Sequence, residues 1–414
     1  MRRGLGGAPL GLLQEASGFR RLFVATLASS VGTYLAVVAL TIHVYDESGG
    51  DANWVGALLI ADFLPVIVIG LVFGPLLDRL PRRRILVASD LARAAVFCVL
   101  PFAESPGQIV ALALLAGVAT SFFRPAVFAG LPNLVPDERL PTANGLLQSA
   151  ENFTWAVGAV AGGAVVNLGG TDVAYWVNAG TFLVSALLVL GIRRSLEESG
   201  AEGGTAAGYL SQLREGLGVV GASRALLTVV VAWSVATVAQ AIGNVSEIFL
   251  ARDVFGAGSL GFGVLVAAAA LGLFVGSLSG GALIDRFGIR GPYLSSILLM
   301  AVGFGVAAAA PEFWLAVAIV VVSGFGNGAA VVCNAVLVQR AVPDRIRGRA
   351  FTLVMSIGYA CFGLGMIVAG PLTNALGART AWGISGALCV LAAVVAAALL
   401  APSEALREQR AQGT

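Results

Sequence analysis

Residues 74–84 read Gly74-Pro75-Leu76-Leu77-Asp78-Arg79-Leu80-Pro81-Arg82-Arg83-Arg84, and residues 281–290 read Gly281-Ala282-Leu283-Ile284-Asp285-Arg286-Phe287-Gly288-Ile289-Arg290. Laid on one another, Gly74, Asp78, Arg79 and Arg83 coincide with Gly281, Asp285, Arg286 and Arg290, a constant 207 residues on (281 − 74). The same offset carries Val135, Pro136 and Asp137 to Val342, Pro343 and Asp344. It also carries Gly158, Gly163, Asn167 and Gly170 to Gly365, Gly370, Asn374 and Gly377. Chance matches would scatter over many offsets. These share one, and it is half of the 414 residues.

Composition says where such a duplicated chain lives. Apolar residues make up 58% of it, charged residues only 12%, and the mean hydropathy is +0.90. A water-soluble fold needs a charged surface that this chain lacks the residues to cover. The net charge of +2 leaves no footprint for nucleic acid. Every basic residue is arginine; without lysine there is no Walker-A lysine and no Schiff base. ATP-driven pumping within this chain is therefore not expected, and no cofactor is called for. Cys98, Cys333, Cys361 and Cys389 lie apart in apolar stretches and read as small core side chains. His43 is the single histidine, which rules out a histidine-rich metal site. Its position near the end of the first apolar run suggests the membrane interface.

A membrane helix needs about 20 mostly apolar residues. That ruler predicts spans near 21–44, 54–77, 85–103, 108–131, 145–168 and 173–192, then 223–249, 259–283, 292–310, 313–337, 350–375 and 380–401. The expected fold is all-α and integral to the membrane, with twelve transmembrane helices in two pseudo-symmetric six-helix bundles. The first bundle covers 1–195, a cytoplasmic linker 196–222 (ending in a surface helix over 209–220), and the second bundle 223–414. With both termini cytoplasmic, 21 of the 25 arginines fall inside, an asymmetry that fixes the orientation by the positive-inside rule. The expected location is the cytoplasmic membrane, and a monomer is expected. A duplicated bundle of this kind is a common plan for secondary transporters.

The two quoted segments join consecutive spans on the inner side. Carboxylates and arginines at such junctions can pair with the neighbouring half and with helix dipoles, and so hold the inner mouth shut. Asp78, Arg79, Arg83, Asp285, Arg286 and Arg290 are the expected cytoplasmic gate. These segments resemble the paired signature loops of the major facilitator superfamily, and the resemblance extends over nearly the whole chain. Phe122-Phe123-Arg124-Pro125-Ala126, Leu131-Pro132-Asn133-Leu134-Val135-Pro136 and Ala143-Asn144-Gly145 resemble the branch that contains the enterobactin exporter and macrolide-efflux proteins. Gly158, Gly162 and Gly163 are similar to the antiporter motif of exporters, with Ala159 where that motif has proline. Glycines at this spacing also serve ordinary close helix packing. The arginine motif found early in the fourth span of many proton-coupled exporters is missing, so its role is not carried over.

Ionisable groups inside a membrane are costly unless paired. Asp90, Arg93 and Arg124 are expected to form an internal ion network supporting the inner gate. Asp62, Glu151 and Glu247 are the candidates for proton coupling; Asp62 lies about 12 Å below the outer edge at about 1.5 Å per residue. The resemblance implies that spans 1, 4, 7 and 10, with parts of 2, 5, 8 and 11, line a central cavity. Candidates for its wall are Tyr34, Phe122, Phe123, Gln148, Asn152, Trp155, Trp233, Gln240, Asn244, Asn327 and Asn334. Apolar walls with a few hydrogen-bonding groups suit a small amphipathic organic molecule. The expected activity is secondary active transport driven by a proton gradient, in the direction of export. An importer or uniporter of a nutrient on the same fold stays open, as does a non-transporting membrane receptor. No constellation for an enzyme is present, since His43 has no evident partner.

Overall fold

The computed structural model describes residues 9–72, 80–192, 196, 223–342 and 344–400. Among them every regular element is a helix and none is a strand. The first six helices are α1 (Pro9–Glu15), α2 (Ser17–Glu47), α3 (Ala52–Val72), α4 (Arg82–Val99), α5 (Pro106–Gly130) and α6 (Leu140–Leu190). The next five are α7 (Arg224–Phe249), α8 (Gly258–Phe287), α9 (Arg290–Ala309), α10 (Phe313–Ala341) and α11 (Asp344–Leu399). The expected surface helix and most of the expected linker lie outside the described residues.

Helix starts follow local chemistry. Ser105 caps α5 by accepting the Gln108 N–H, with Pro106 at the first helical position, and Ser223 caps α7 by accepting the Leu226 N–H. Nine helical stretches of the described chain are long and apolar enough to cross a membrane. Two of them, of 54 and 47 residues, are more than twice as long as one crossing requires. Each is broken at a single glycine: Gly170 at φ 81° within α6 and Gly377 at φ 79° within α11. Positive φ is strained for any residue with a Cβ, so glycine marks both bends. Counting each bent helix twice gives eleven crossings; the expected twelfth falls on the shorter apolar helix Ala52–Val66. Exposed side chains such as Leu168, Leu187, Leu278, Leu364 and Trp314 form the outward surface that lipid would cover.

Packing divides the chain into two units: residues 1–49 with 58–205, and residues 50–57 with 206–414. Here residues 50–57, which include the start of α3, group with the second half of the chain, and the expected linker 196–222 is shared between the units. Asn374 of α11 explains the grouping of 50–57, donating from Nδ2 to Asp51 at 2.6 Å and accepting the Ala52 N–H at 2.9 Å. Asp51 also accepts the Asn53 N–H at 2.9 Å, which caps α3. A Cβ on Gly370 would lie 2.7 Å from the Asn53 side chain, so glycine is needed for that approach.

The sequence repeat is also a repeat of packing inside each unit. In the first, α2 lies on α6, and a Cβ on Gly158 would meet the Val31 carbonyl oxygen at 2.9 Å and the Tyr34 Cβ at 2.8 Å. In the second, α7 lies on α11, and a Cβ on Gly365 would meet the Val238 carbonyl oxygen at 3.0 Å and the Ala241 Cβ at 2.7 Å. All three positions correspond at the offset of 207. Phe97 against Tyr175 (5.9 Å) likewise corresponds to Phe304 against Trp382 (5.3 Å). Small residues let these helix backbones meet where apolar solvent offers no hydrophobic drive.

Candidate functional site

A cavity of about 300 Å³ lies within the first unit. Its wall is built from one face of each of three helices: Thr26, Ser29, Ser30, Thr33 and Tyr34 of α2; Thr120, Phe123, Arg124 and Val127 of α5; and Gln148, Glu151, Asn152 and Trp155 of α6. Steps of three and four residues place each set on one helix face. Arg93 of α4 completes the wall.

Two ion pairs meet this cavity, and they divide the expected network. Asp90 and Arg93 bond each other at 2.5 Å, with side chains 0% and 2% exposed. The Arg93 guanidinium lies between two rings, 4.5 Å from the Phe123 centroid and 4.2 Å from that of Phe182. A buried cation held by a carboxylate and two aromatic faces is a fixed part of the wall. Arg124 bonds elsewhere: its Nη2 donates to Glu151 Oε2 at 3.0 Å, and its side chain is 60% exposed against 16% for Glu151. Gln148 bridges this pair, accepting from Arg124 at 3.4 Å and donating to Glu151 at 3.4 Å. Beside them Tyr34 and Trp155 are stacked, with centroids 5.9 Å apart and 20° between planes. Charge, amide and hydroxyl groups therefore share one chamber with a flat aromatic platform.

The remaining candidates fall elsewhere. Phe122 packs on the apolar core of the first unit rather than on the cavity. Asp62 is half-buried on α3, with its carbonyl facing the close approach of Gly117. Trp233, Gln240, Asn244, Asn327, Asn334 and Glu247 belong to the second unit, outside this cavity. Asn334 and Glu247 are buried there, and neither side-chain polar atom of Asn334 has a hydrogen-bond partner among the described residues. The same holds for Glu247 Oε1, and Glu247 forms no ion pair among the described residues. Among the glycines, a Cβ on Gly162 would lie 2.7 Å from the Leu35 carbonyl oxygen, and Gly163 is buried.

Of the expected gate, Asp78 and Arg79 lie outside the described residues. Arg83 donates to the Leu190 carbonyl at the end of α6, and Arg290 donates to the Ala397 carbonyl at the end of α11, at 3.5 Å. These bonds also correspond at the offset of 207. Cations at helix C-termini satisfy carbonyls that have no partner in the helix and complement its dipole. Asp285 and Arg286 are exposed, and the Arg286 guanidinium rests 5.2 Å from the Phe287 ring. Among the described residues none of these four forms an ion pair.

His43, expected at the interface, is buried and bonds the Tyr175 hydroxyl at 2.9 Å. The hydroxyl face of α2 escaped the sequence reading. Its signal was present in the spacing of Thr26, Ser29, Ser30 and Thr33, but such residues ordinarily bond their own helix, as Thr33 does to the Ser29 carbonyl at 2.8 Å.

Proteins named as transporters and efflux proteins resemble this chain in fold or in sequence. The crystal structure of the nucleoside transporter NupG matches with a TM-score of 0.75, covering 93% of this chain and all of that one, at 15% identity. The multidrug efflux pump Tap of Mycolicibacterium fortuitum is 29% identical over 86% of this chain and 89% of its own. Macrolide efflux protein A of Streptococcus pyogenes is 23% identical over 87% of this chain and 91% of its own. The profile of the family described as transmembrane secretion effector matches residues 8–412. With its duplicated helical units, apolar outer surface and polar inner chamber, the chain belongs to that family, a multi-pass membrane transporter of the major facilitator superfamily.

Proposed function

We propose that this transporter is a proton-coupled antiporter that exports a lipophilic drug, antibiotic or secondary metabolite by alternating access. The observation that carries the reading is the chamber in the first unit, where the Glu151–Arg124 pair adjoins the Tyr34–Trp155 stack. An amphipathic molecule needs both an apolar platform and hydrogen-bonding groups, and this wall offers both. Tap and macrolide efflux protein A, named for efflux, support export as the direction. The proton gradient replaces ATP, the protein works as a monomer in the cytoplasmic membrane, and both termini face the cytoplasm.

The three candidate carboxylates divide by their surroundings. Glu151 has a cation within hydrogen-bond distance and so is suited to hold charge in the chamber. Glu247 is 9% exposed and has no cation paired to it among the described residues. A buried carboxyl without a counter-ion carries a proton at less cost than a negative charge. Glu247 is therefore the proposed proton carrier, ahead of the half-buried Asp62. A drug-susceptibility panel in a pump-deficient host, repeated with a protonophore, tests the function. The reading expects resistance to one or more amphipathic compounds that the protonophore removes. Resistance that survives collapse of the gradient would refute proton coupling, and uptake in place of efflux would favour the importer.

A further inference from the structure

Glu151 and Arg124 are bonded, yet the two partners are held very differently. Glu151 is the fixed half. Its side chain is 16% exposed, it sits one turn before Trp155 on α6, and Gln148 reaches it from the preceding turn. Arg124 is the loose half, 60% exposed and joined through a single nitrogen, Nη2, at 3.0 Å, with a long contact to Gln148 at 3.4 Å. Strong arginine–carboxylate pairs use two parallel bonds, and this one does not. Exposed pairs of this kind contribute little. Arg124 also has somewhere to go: its guanidinium already lies 5.7 Å from the Phe128 ring. Glu151, in contrast, shares its wall with the stacked Tyr34 and Trp155, aromatic faces that attract cations.

We infer that Arg124 is a tethered competitor for Glu151, a specificity-determining residue that an organic cation must displace before its charged group reaches the carboxylate. The inference rests on the chamber being the substrate site, as proposed above. Arg124 keeps the empty chamber neutral and sets a threshold that only a cation with an apolar body passes: the charge takes the guanidinium's place, and the body covers the aromatic platform. A neutral molecule of the same shape gains the platform alone and leaves the Arg124–Glu151 pair intact.

The test is equilibrium binding to the purified full-length protein, using tetraphenylphosphonium as the cation and triphenylphosphine oxide as a neutral molecule of similar bulk. Arg124→Gln removes the competitor and is expected to tighten tetraphenylphosphonium binding about fivefold, the worth of an exposed pair. Glu151→Gln is expected to weaken it about tenfold, as for loss of a charge-assisted contact. Arg124→Lys, which keeps the charge, should stay within about twofold of the natural protein. Triphenylphosphine oxide should bind all four forms alike. Unchanged or weaker cation binding in Arg124→Gln would overturn the inference. So would an equal gain for the neutral probe, or a gain in Arg124→Lys as large as in Arg124→Gln. If Arg124→Gln does not fold, Glu151→Gln and Arg124→Lys decide: the first must lose the cation and keep the neutral probe, and the second must keep both. Loss of gradient-driven flux with this binding pattern intact would refute the proposed function and leave the competitor standing.

Discussion

Arg93 and Arg124 lie on one cavity wall and carry the same charge, but burial gives them different jobs. Arg93 is enclosed by Asp90, Phe123 and Phe182, so removing its counter-ion leaves a cation in an apolar pocket. Asp90→Asn is expected to destabilise the protein by roughly 3–5 kcal/mol, the usual cost of breaking a buried pair. Asp90→Leu combined with Arg93→Met should cost less than either single change, because no charge then stays unpaired. Chemical unfolding in detergent measures both, and a double variant worse than the singles would contradict the account. The sequence alone named Asp90, Arg93, Arg124 and Glu151, because an ionisable residue in a span is conspicuous. It did not say who pairs with whom: Asp90 lies one turn from Arg93, but no carboxylate lies within a turn of Arg124, and only packing brings Glu151 to it. Gln148, Glu151, Asn152 and Trp155 were legible as one polar face of a helix. The hydroxyls of α2 were not, because serines and threonines inside an apolar helix look like ordinary packing.

At the scale of the element, glycines do two separable things. Gly170 and Gly377 have positive φ and open space where a Cβ would stand, so alanine there meets only backbone strain. Each Gly→Ala change should cost about 1–2 kcal/mol, read as a lower unfolding midpoint. Gly145, helical and also facing open space, should gain about 0.5–1 kcal/mol on the same change. Matching losses at all three would contradict this assignment. The join between α3 and α11 makes a prediction about pH. The Asn374 amide, then the Asn53 backbone and side chain, hold the Asp51 carboxyl below the usual carboxylate range. A folded-state pKa lower than the unfolded one contributes stability that is full above the unfolded value, about 3.9, and is lost as pH falls through the folded one. Asn374→Ala should therefore lower stability by about 1 kcal/mol or less near neutral pH. That difference should shrink as pH falls below the unfolded value and vanish once pH is below the folded one. A difference that persists in acid would show that Asn374 acts through the Ala52 N–H instead. The helices themselves were legible from apolar runs of crossing length; Gly170 and Gly377 stood out as a matched pair between such runs, but that each bends one continuous helix was not legible. The destination of Arg83 and Arg290 was hidden, because charges are visible in a sequence while the carbonyl ends of helices are not.

The whole molecule is a duplication in which the copies kept their architecture and diverged in their chemistry. Packing contacts survive at the offset of 207, from the Gly158 and Gly365 seams to the Arg83 and Arg290 bonds. The chemistry does not: Tyr34, which helps form the aromatic platform, corresponds to Ala241, and Glu151 to Gly358. Glu247 has no acidic counterpart either, since its mate is Leu40. The proposed substrate chamber in one copy, and in the other a buried carboxyl with no ion pair among the described residues, make the asymmetry that proton-driven export would use. Glu247→Gln keeps the shape of the side chain and removes the proton, so it separates binding from coupling. The most direct test is uphill flux of a transported compound in proteoliposomes under an imposed pH gradient. The natural protein should concentrate the compound, with movement stopped by a protonophore, whereas Glu247→Gln should bind the compound and only equilibrate it. Undiminished uphill transport by Glu247→Gln, or by the natural protein without any pH gradient, would contradict the account.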